Sequence, residues 1–254
     1  MILVIGGTSE GRIIAEQLVK EGVGVLVSTA TQFGADLASG FGTEVIWGRL
    51  GREELCKLLL SRKIKVLIDA SHPFASEISA NAVGACSRTG VNYIRFARPG
   101  TPKSSPALEF SKSYHDAARR ACDIGKTIFL TTGSKTAGIF YESAREMGRR
   151  IVIRILPDPG VIKELIKMGI SQSDIVAMRG PFGEELNLAL LRHFRADVIV
   201  AKESGDAGGL GEKIAAAERL GLPLIVVKRP PEPEGSAITA LEAVEMALKC
   251  IRDD

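Results

Sequence analysis

The chain has 254 residues, 45% hydrophobic and 25% charged, with 33 Lys and Arg against 30 Asp and Glu for a formal charge of +3. That is a globular composition with enough chain for one large or two small cores, and its charge is too small to argue for a nucleic-acid partner. No apolar run is long enough to span a membrane, and Met1 enters a strand with no charged leader, so the expectation is a cytoplasmic protein without a membrane partner.

The first twelve residues, MILVIGGTSEGR, organise the rest. An apolar run over 2–5 is broken by Gly6 and Gly7, and Thr8, Ser9 and Glu10 lead into an amphipathic stretch over 13–19. This pattern predicts a strand, a tight turn and a helix capped by Thr8 or Ser9, whose first-turn amides suit a phosphate. It departs from G-x-G-x-x-G, because Thr8 stands where the second glycine belongs and the extra glycine is Gly7. An ordinary strand–helix turn is the plainer alternative. Strands follow at 23–28, 43–47, 66–69 and 92–96, with helices at 34–39, 53–61 and 75–88. The alternation predicts a parallel sheet covered on both faces, with ligands beyond the strand ends.

The composition then shifts. Residues 97–106, ARPGTPKSSP, hold three prolines, whereas the preceding 96 residues hold only Pro73. This reads as a linker between a domain at 1–97 and a second at 98–254. Beyond it, strands are expected at 109–111, 127–131, 151–156, 175–178, 198–201 and 224–227, with helices at 115–123, 161–168, up to 194, 210–220 and 238–251. The fold class is therefore α/β, with two Rossmann-like domains and mainly parallel sheets. Cys56, Cys86, Cys122 and Cys250 lack C-x-x-C spacing and the three histidines are isolated, so neither a disulfide framework nor a metal site is expected.

Gly6, Gly7, Thr8, Ser9, Gly11 and Arg12 form the candidate nucleotide loop. The second strand ends in Ser28, Thr29, Ala30 and Thr31, with no acid before Asp36. Hydroxyls without a carboxylate suit a ribose 2′-phosphate, with Arg12 or Arg49 as the cation, so NADPH is favoured and NADH stays open. Strand-end capping and solvated surface charge are the plainer alternatives. The fourth strand runs into Asp69-Ala70-Ser71-His72-Pro73. There Ser71 and His72 either line the nicotinamide end or serve as local caps and satisfied polar groups, and Pro73 suits the first turn of the next helix.

In the second half a cation or hydroxyl follows nearly every strand: Ser134 and Lys135, Arg154 within its strand, Arg179, Lys202 and Ser204, then Lys228 and Arg229. Parallel strands would gather them on one rim, built for an anionic ligand. Lys135 follows Gly133-Ser134, but G-x-x-x-x-G-K-[ST] is absent, which argues against ATP hydrolysis. A short-chain dehydrogenase needs Tyr-x-x-x-Lys, and Tyr93, Tyr114 and Tyr141 are followed at the fourth position by Ala97, Ala118 and Arg145.

Taken together, GGTSEGR (6–12), DASHPFA (69–75), TTGSK (131–135), MRGPF (178–182) with Asn187, AKESG (201–205) and LGLPLIVVKRP (220–230) resemble the precorrin-6A reductase family, in order over nearly the whole chain. The resemblance implies two α/β domains with a tetrapyrrole in the cleft between them. It also implies hydride transfer from a reduced pyridine nucleotide to precorrin-6A or its cobalt form, giving the 6B product. A polycarboxylate tetrapyrrole would give Ser134, Lys135, Arg179, Lys202, Ser204 and Arg229 a purpose, as binders of its acetate and propionate arms. His72 and Glu203 are the candidates for proton delivery, with solvent as a third source. A non-catalytic dinucleotide sensor or a reductase of another polyanion, such as a sugar nucleotide, stays open.

Overall fold

The apolar tetrapeptide Ile2–Ile5 forms β1, and the side chains alternate between two cores. Ile2 and Val4 pack with Ile14, Leu18 and Val27 on one face, whereas Leu3 and Ile5 pack with Leu26, Leu55, Leu59 and Leu67 on the other. A strand buried on both faces shows no polar alternation, which is why it reads as an unbroken apolar run. Each such side chain contributes roughly 1.5–3 kcal/mol relative to leaving it in water.

The computed structural model describes residues 1–40, 42–98, 105–180, 182–205 and 208–252. It comprises two units, Met1–Pro99 with Pro230–Asp254, and Gly100–Arg229.

In the first unit β1 is joined by β2 (Val25–Thr29), β3 (Glu44–Trp47), β4 (Val66–Asp69) and β5 (Asn92–Arg95). Among the described residues these make a five-stranded sheet in the order β3-β2-β1-β4-β5, with every pairing parallel. The helices are α1 (Ser9–Lys20), α2 (Gln32–Ala38), α3 (Arg52–Ser61) and α4 (Ser76–Thr89). Of these, α1 buries Gly11, Ile14, Ala15 and Leu18, one stripe at helical spacing. It begins at Ser9 with Thr8 as its cap, one of the two capping residues expected. Pro73 lies before α4, whose N-cap is Ala75, and so is not in that helix's first turn.

In the second unit the strands are β6 (Leu108–Ser111), β7 (Thr127–Leu130), β8 (Arg150–Ile155), β9 (Ile175–Ala177), β10 (Val198–Lys202) and β11 (Leu224–Val227). The described residues form a six-stranded sheet in the order β6-β11-β10-β7-β8-β9, again parallel throughout. Its helices are α5 (Tyr114–Ile124), α6 (Ala137–Glu146), α7 (Pro159–Met168), α8 (Glu184–His193) and α9 (Leu210–Leu220). The sequence reading assigned no element to α6, although Ala137, Phe140 and Ala144 bury one face at helical spacing. Phe129, Val152, Ile199, Leu210, Ile214 and Val226 anchor this unit's core.

The closing helix, α10 (Ala240–Arg252), corrects the expected domain division. It belongs to the first unit, where Ala243, Val244 and Ala247 join the core of β1 and α1. The segment before it is tied in by Ala97 N–H to Ala237 O at 2.8 Å and Ala237 N–H to Arg95 O at 2.9 Å. Most of the proline-rich stretch, residues 99–104, lies outside the described residues, as does Pro181.

Candidate functional site

In the first unit the strand order reverses at β1 and β4, and the turns leaving these two strands lie side by side at the sheet's C-terminal edge. Gly6 has φ +154°, and a Cβ there would meet Ala70 O at 2.9 Å, so the close packing of the two turns requires glycine. The turn is pinned by Gly6 N–H to Ser28 O at 3.0 Å and Thr8 Oγ1–H to Ala70 O at 3.1 Å. Thr8 Oγ1 also accepts from Gly11 N–H. Among the described residues the amides of Gly7, Thr8 and Ser9 enter no main-chain or side-chain hydrogen bond. The mouth of α1 therefore presents unpaired N–H groups, which fits a dinucleotide pyrophosphate. Glu10, whose charge would oppose such a ligand, is held by the buried Arg98 at 3.0 Å.

The structure gathers the other expected cofactor residues on the same sheet edge. Ser28 and Thr29 are buried at the end of β2. Thr29 Oγ1 donates to Thr31 O at 2.9 Å, and Thr31 Oγ1 accepts from Gly34 N–H as the cap of α2. These two hydroxyls thus have structural work of their own. Arg12 is half-buried in the first turns of α1 and Arg49 is exposed after β3.

Beside the β4 turn lies a buried polar network that the sequence reading did not assemble. Asp69 is 0% exposed and pairs with Arg95 at 3.0 Å. It also accepts from Tyr93 O–H at 3.0 Å and Ser71 N–H at 3.0 Å. Burial and the neighbouring carboxylate push the Tyr93 phenol well above its usual range, so it stays protonated and donating. Arg95 NH1 reaches Ser71 O and Oγ at 3.3 and 3.2 Å, which fixes the loop that carries His72. His72 Nδ1 accepts from Phe74 N–H at 3.1 Å, which leaves Nε2 as the protonated nitrogen of the neutral ring.

In the second unit the order reverses at β7 and β10. A pocket of about 370 Å³ opens there, lined by Thr131, Gly133, Arg154, Phe182, Lys202 and Lys213 among others. The Arg154 guanidinium donates to Asn187 Oδ1 at 2.9 Å and lies 4.1 Å from the centre of the Phe182 ring. Asn187 is itself fixed by donating to Gly183 O at 2.9 Å and Phe182 O at 3.3 Å. Lys213 Nζ donates to Gly208 O at 2.7 Å and Gly209 O at 2.8 Å. Burial lowers the Arg154 pKa to about 10. Lys213 is lowered to about 8, first by burial and then by Arg154. Lys202 is also lowered, by burial and by the charge of Lys135.

Of the expected substrate residues, Lys202 lines this pocket, whereas Ser134, Lys135, Arg179, Ser204 and Arg229 occupy the surrounding strand ends. Glu203 Oε2 accepts from Arg229 N–H at 3.1 Å and so braces the β11 turn. Lys213 escaped the sequence reading because a helical lysine reads as solvated. Its signal was its place between Leu210 and Ile214 on the buried stripe of α9. Among the described residues no group of three or more His, Cys, Asp or Glu could hold a metal ion, and no helix is long and apolar enough to cross a membrane.

The family model described as Precorrin-6x reductase CbiJ/CobK matches residues 1–252. The cobalt-precorrin-6A reductase of Priestia megaterium is 35% identical over 249 residues, 98% of this chain and 98% of that protein. The cobalt-precorrin-6A reductase of Methanothermobacter thermautotrophicus is 35% identical over 258 residues, 99% of this chain and 85% of that protein. A solved structure titled CobK precorrin-6A reductase superposes with a TM-score of 0.79 at 26% identity, covering 98% of this chain and 96% of that one.

Proposed function

The chain belongs to the precorrin-6x reductase CbiJ/CobK family, and from that premise we propose that it reduces precorrin-6A, or its cobalt form, to the corresponding 6B product in cobalamin biosynthesis, with NADPH as reductant. The observation that carries the cofactor part is the β1–β4 switch point, where a glycine turn packed onto Ala70 leaves the amides of Gly7, Thr8 and Ser9 for a ligand. When bound there, the reduced nicotinamide supplies the hydride that a macrocycle carbon accepts.

The residues of the chain do the remaining work. Gly7, Thr8 and Ser9 bind the pyrophosphate at the mouth of α1. Thr29, Thr31, Arg12 and Arg49 surround the adenosine ribose, where a cation without a carboxylate favours a 2′-phosphate. Ser71 and His72 sit at the reacting end, held by Arg95. Proton delivery falls to His72 rather than Glu203, because the Glu203 carboxylate is engaged by the Arg229 amide. In the second unit the basic strand ends, with Lys135, Arg179 and Lys202, bind the acidic arms and orient the ring.

The test is anaerobic mixing of the protein with precorrin-6A or cobalt-precorrin-6A, each with NADPH or NADH, following cofactor and tetrapyrrole absorbance. Turnover fastest with NADPH is expected. Dinucleotide binding without oxidation in any of the four mixtures would overturn the reductase reading in favour of a sensor.

A further inference from the structure

The pocket at the β7–β10 switch point holds more positive charge than its protein contacts neutralise. Arg154 is 6% exposed and Lys213 8%. Their hydrogen bonds go to the Asn187 amide and to two main-chain carbonyls, and among the described residues neither forms an ion pair. A buried cation without a counter-charge costs stability, and a fold keeps two together where a ligand brings the opposite charge. Lys202 from β10 adds a third cation to the wall. The acid felt by Lys213 is its neighbour Glu212, whose Oε2 is buried without a hydrogen-bond partner.

The geometry is that of a prepared receptor. Asn187 and the Phe182 ring fix the plane of the Arg154 fork, and among the described residues its remaining N–H groups donate to no protein acceptor. Lys213 has two of its three protons on carbonyls, which anchors the ammonium and leaves one N–H.

We propose that this pocket is a carboxylate subsite in which Arg154 and Lys213 together grip one acidic arm of the tetrapyrrole, with Lys213 as a substrate-binding residue. The proposal rests on the reductase reading. Because Lys213 is surrounded by Arg154 and Lys202 and opposed by Glu212, an arriving carboxylate stabilises its charged form. Seating the arm therefore draws a proton from solvent above about pH 8. An anionic group also exists on the dinucleotide, and the experiment separates the two sources.

Precorrin-6A is titrated anaerobically into the full chain without reductant, by absorbance and by calorimetry in two buffers of different ionisation enthalpy, at pH 6.5 and 8.5. NADPH is titrated separately. Wild-type protein should take up about three-quarters of a proton with precorrin-6A at pH 8.5 and almost none at pH 6.5, and its affinity should fall with pH above 8, approaching tenfold per pH unit. Lys213→Met should bind precorrin-6A at least tenfold more weakly, without proton uptake, with NADPH affinity unchanged. Lys213→Arg should restore most of the affinity without the uptake. Tight precorrin-6A binding by a folded Lys213→Met, or wild-type binding without uptake at pH 8.5, would overturn the subsite while leaving the reductase reading intact. Loss of NADPH affinity instead would reassign the pocket to the cofactor and overturn the proposal. Wild-type protein that neither binds nor reduces precorrin-6A or cobalt-precorrin-6A would sink the reductase reading, and this proposal with it.

Discussion

Arg95 and Glu232 stand 137 residues apart in the chain and form a two-point pair, Nε to Oε2 at 2.8 Å and NH2 to Oε1 at 3.3 Å. The same guanidinium compensates Asp69, which has no exposure to solvent. Removing it with Arg95→Ala would leave a buried carboxylate with only the Tyr93 hydroxyl and the Ser71 amide. A loss of about 3–5 kcal/mol is expected, read as a lower urea midpoint. Glu232→Gln keeps the shape and should cost less, about 1–2 kcal/mol. A midpoint unchanged in Arg95→Ala would remove the network from any account of this unit's stability.

The turn after β1 offers a second test. Gly6→Ala places a methyl against Ala70 O at 2.9 Å. The two turns must then separate, with a stability loss of about 1–3 kcal/mol and at least tenfold weaker NADPH binding. Fluorescence titration of NADPH checks it, and an affinity equal to wild type would place the dinucleotide elsewhere.

Arg12 is assigned to the 2′-phosphate, which NADH lacks. Arg12→Ala should therefore raise the Kd for NADPH about tenfold and leave that for NADH almost unchanged. Equal weakening of both would cancel the assignment.

Arg179 stands exposed after β9, among the strand ends assigned to the acidic arms. Arg179→Ala should raise the KM for the tetrapyrrole several-fold with the Kd for NADPH intact. An unchanged KM would put this arginine outside the rim.

The pH dependence of stability follows from Lys213, whose pKa is lowered in the fold to about 8 from 10.5. Between these values the unfolded chain binds more protons than the folded one, so stability rises with pH across this window. Below about pH 8 the charged Lys213 is a standing cost, on the order of 3 kcal/mol. Urea midpoints at pH 7.5 and 9.5 should show the rise in wild type and a smaller one in Lys213→Met. Equal slopes would mean that Lys213 is not the group responsible.

Much of this architecture was legible in the residues. Strands buried on both faces announce themselves as apolar runs, and Gly6-Gly7-Thr8 marked the first turn because only a tight connection needs adjacent glycines. The basic strand ends could be foreseen as a rim because parallel strands all finish on one edge. Other features were hidden for physical reasons. Lys213 is a cation in a helix, and only its neighbours Leu210 and Ile214 hint that it faces inward. The Asp69–Arg95–Glu232 network joins residues whose spacing carries no period. The residues of α10 that meet the sheet, Ala243, Val244 and Ala247, are common apolar types that do not mark in the sequence which sheet they meet.

That last packing makes one unit depend on both ends of the chain. The unit Gly100–Arg229 is one unbroken stretch, whereas the other needs Ala237, Ala243, Val244 and Ala247 to close its core and Glu232 to neutralise Arg95. The middle of the chain therefore carries its whole core within itself, while the first hundred residues wait for the last twenty-five. A released chain ending at residue 229 is expected to resist protease across the middle and to be cut in its first hundred residues.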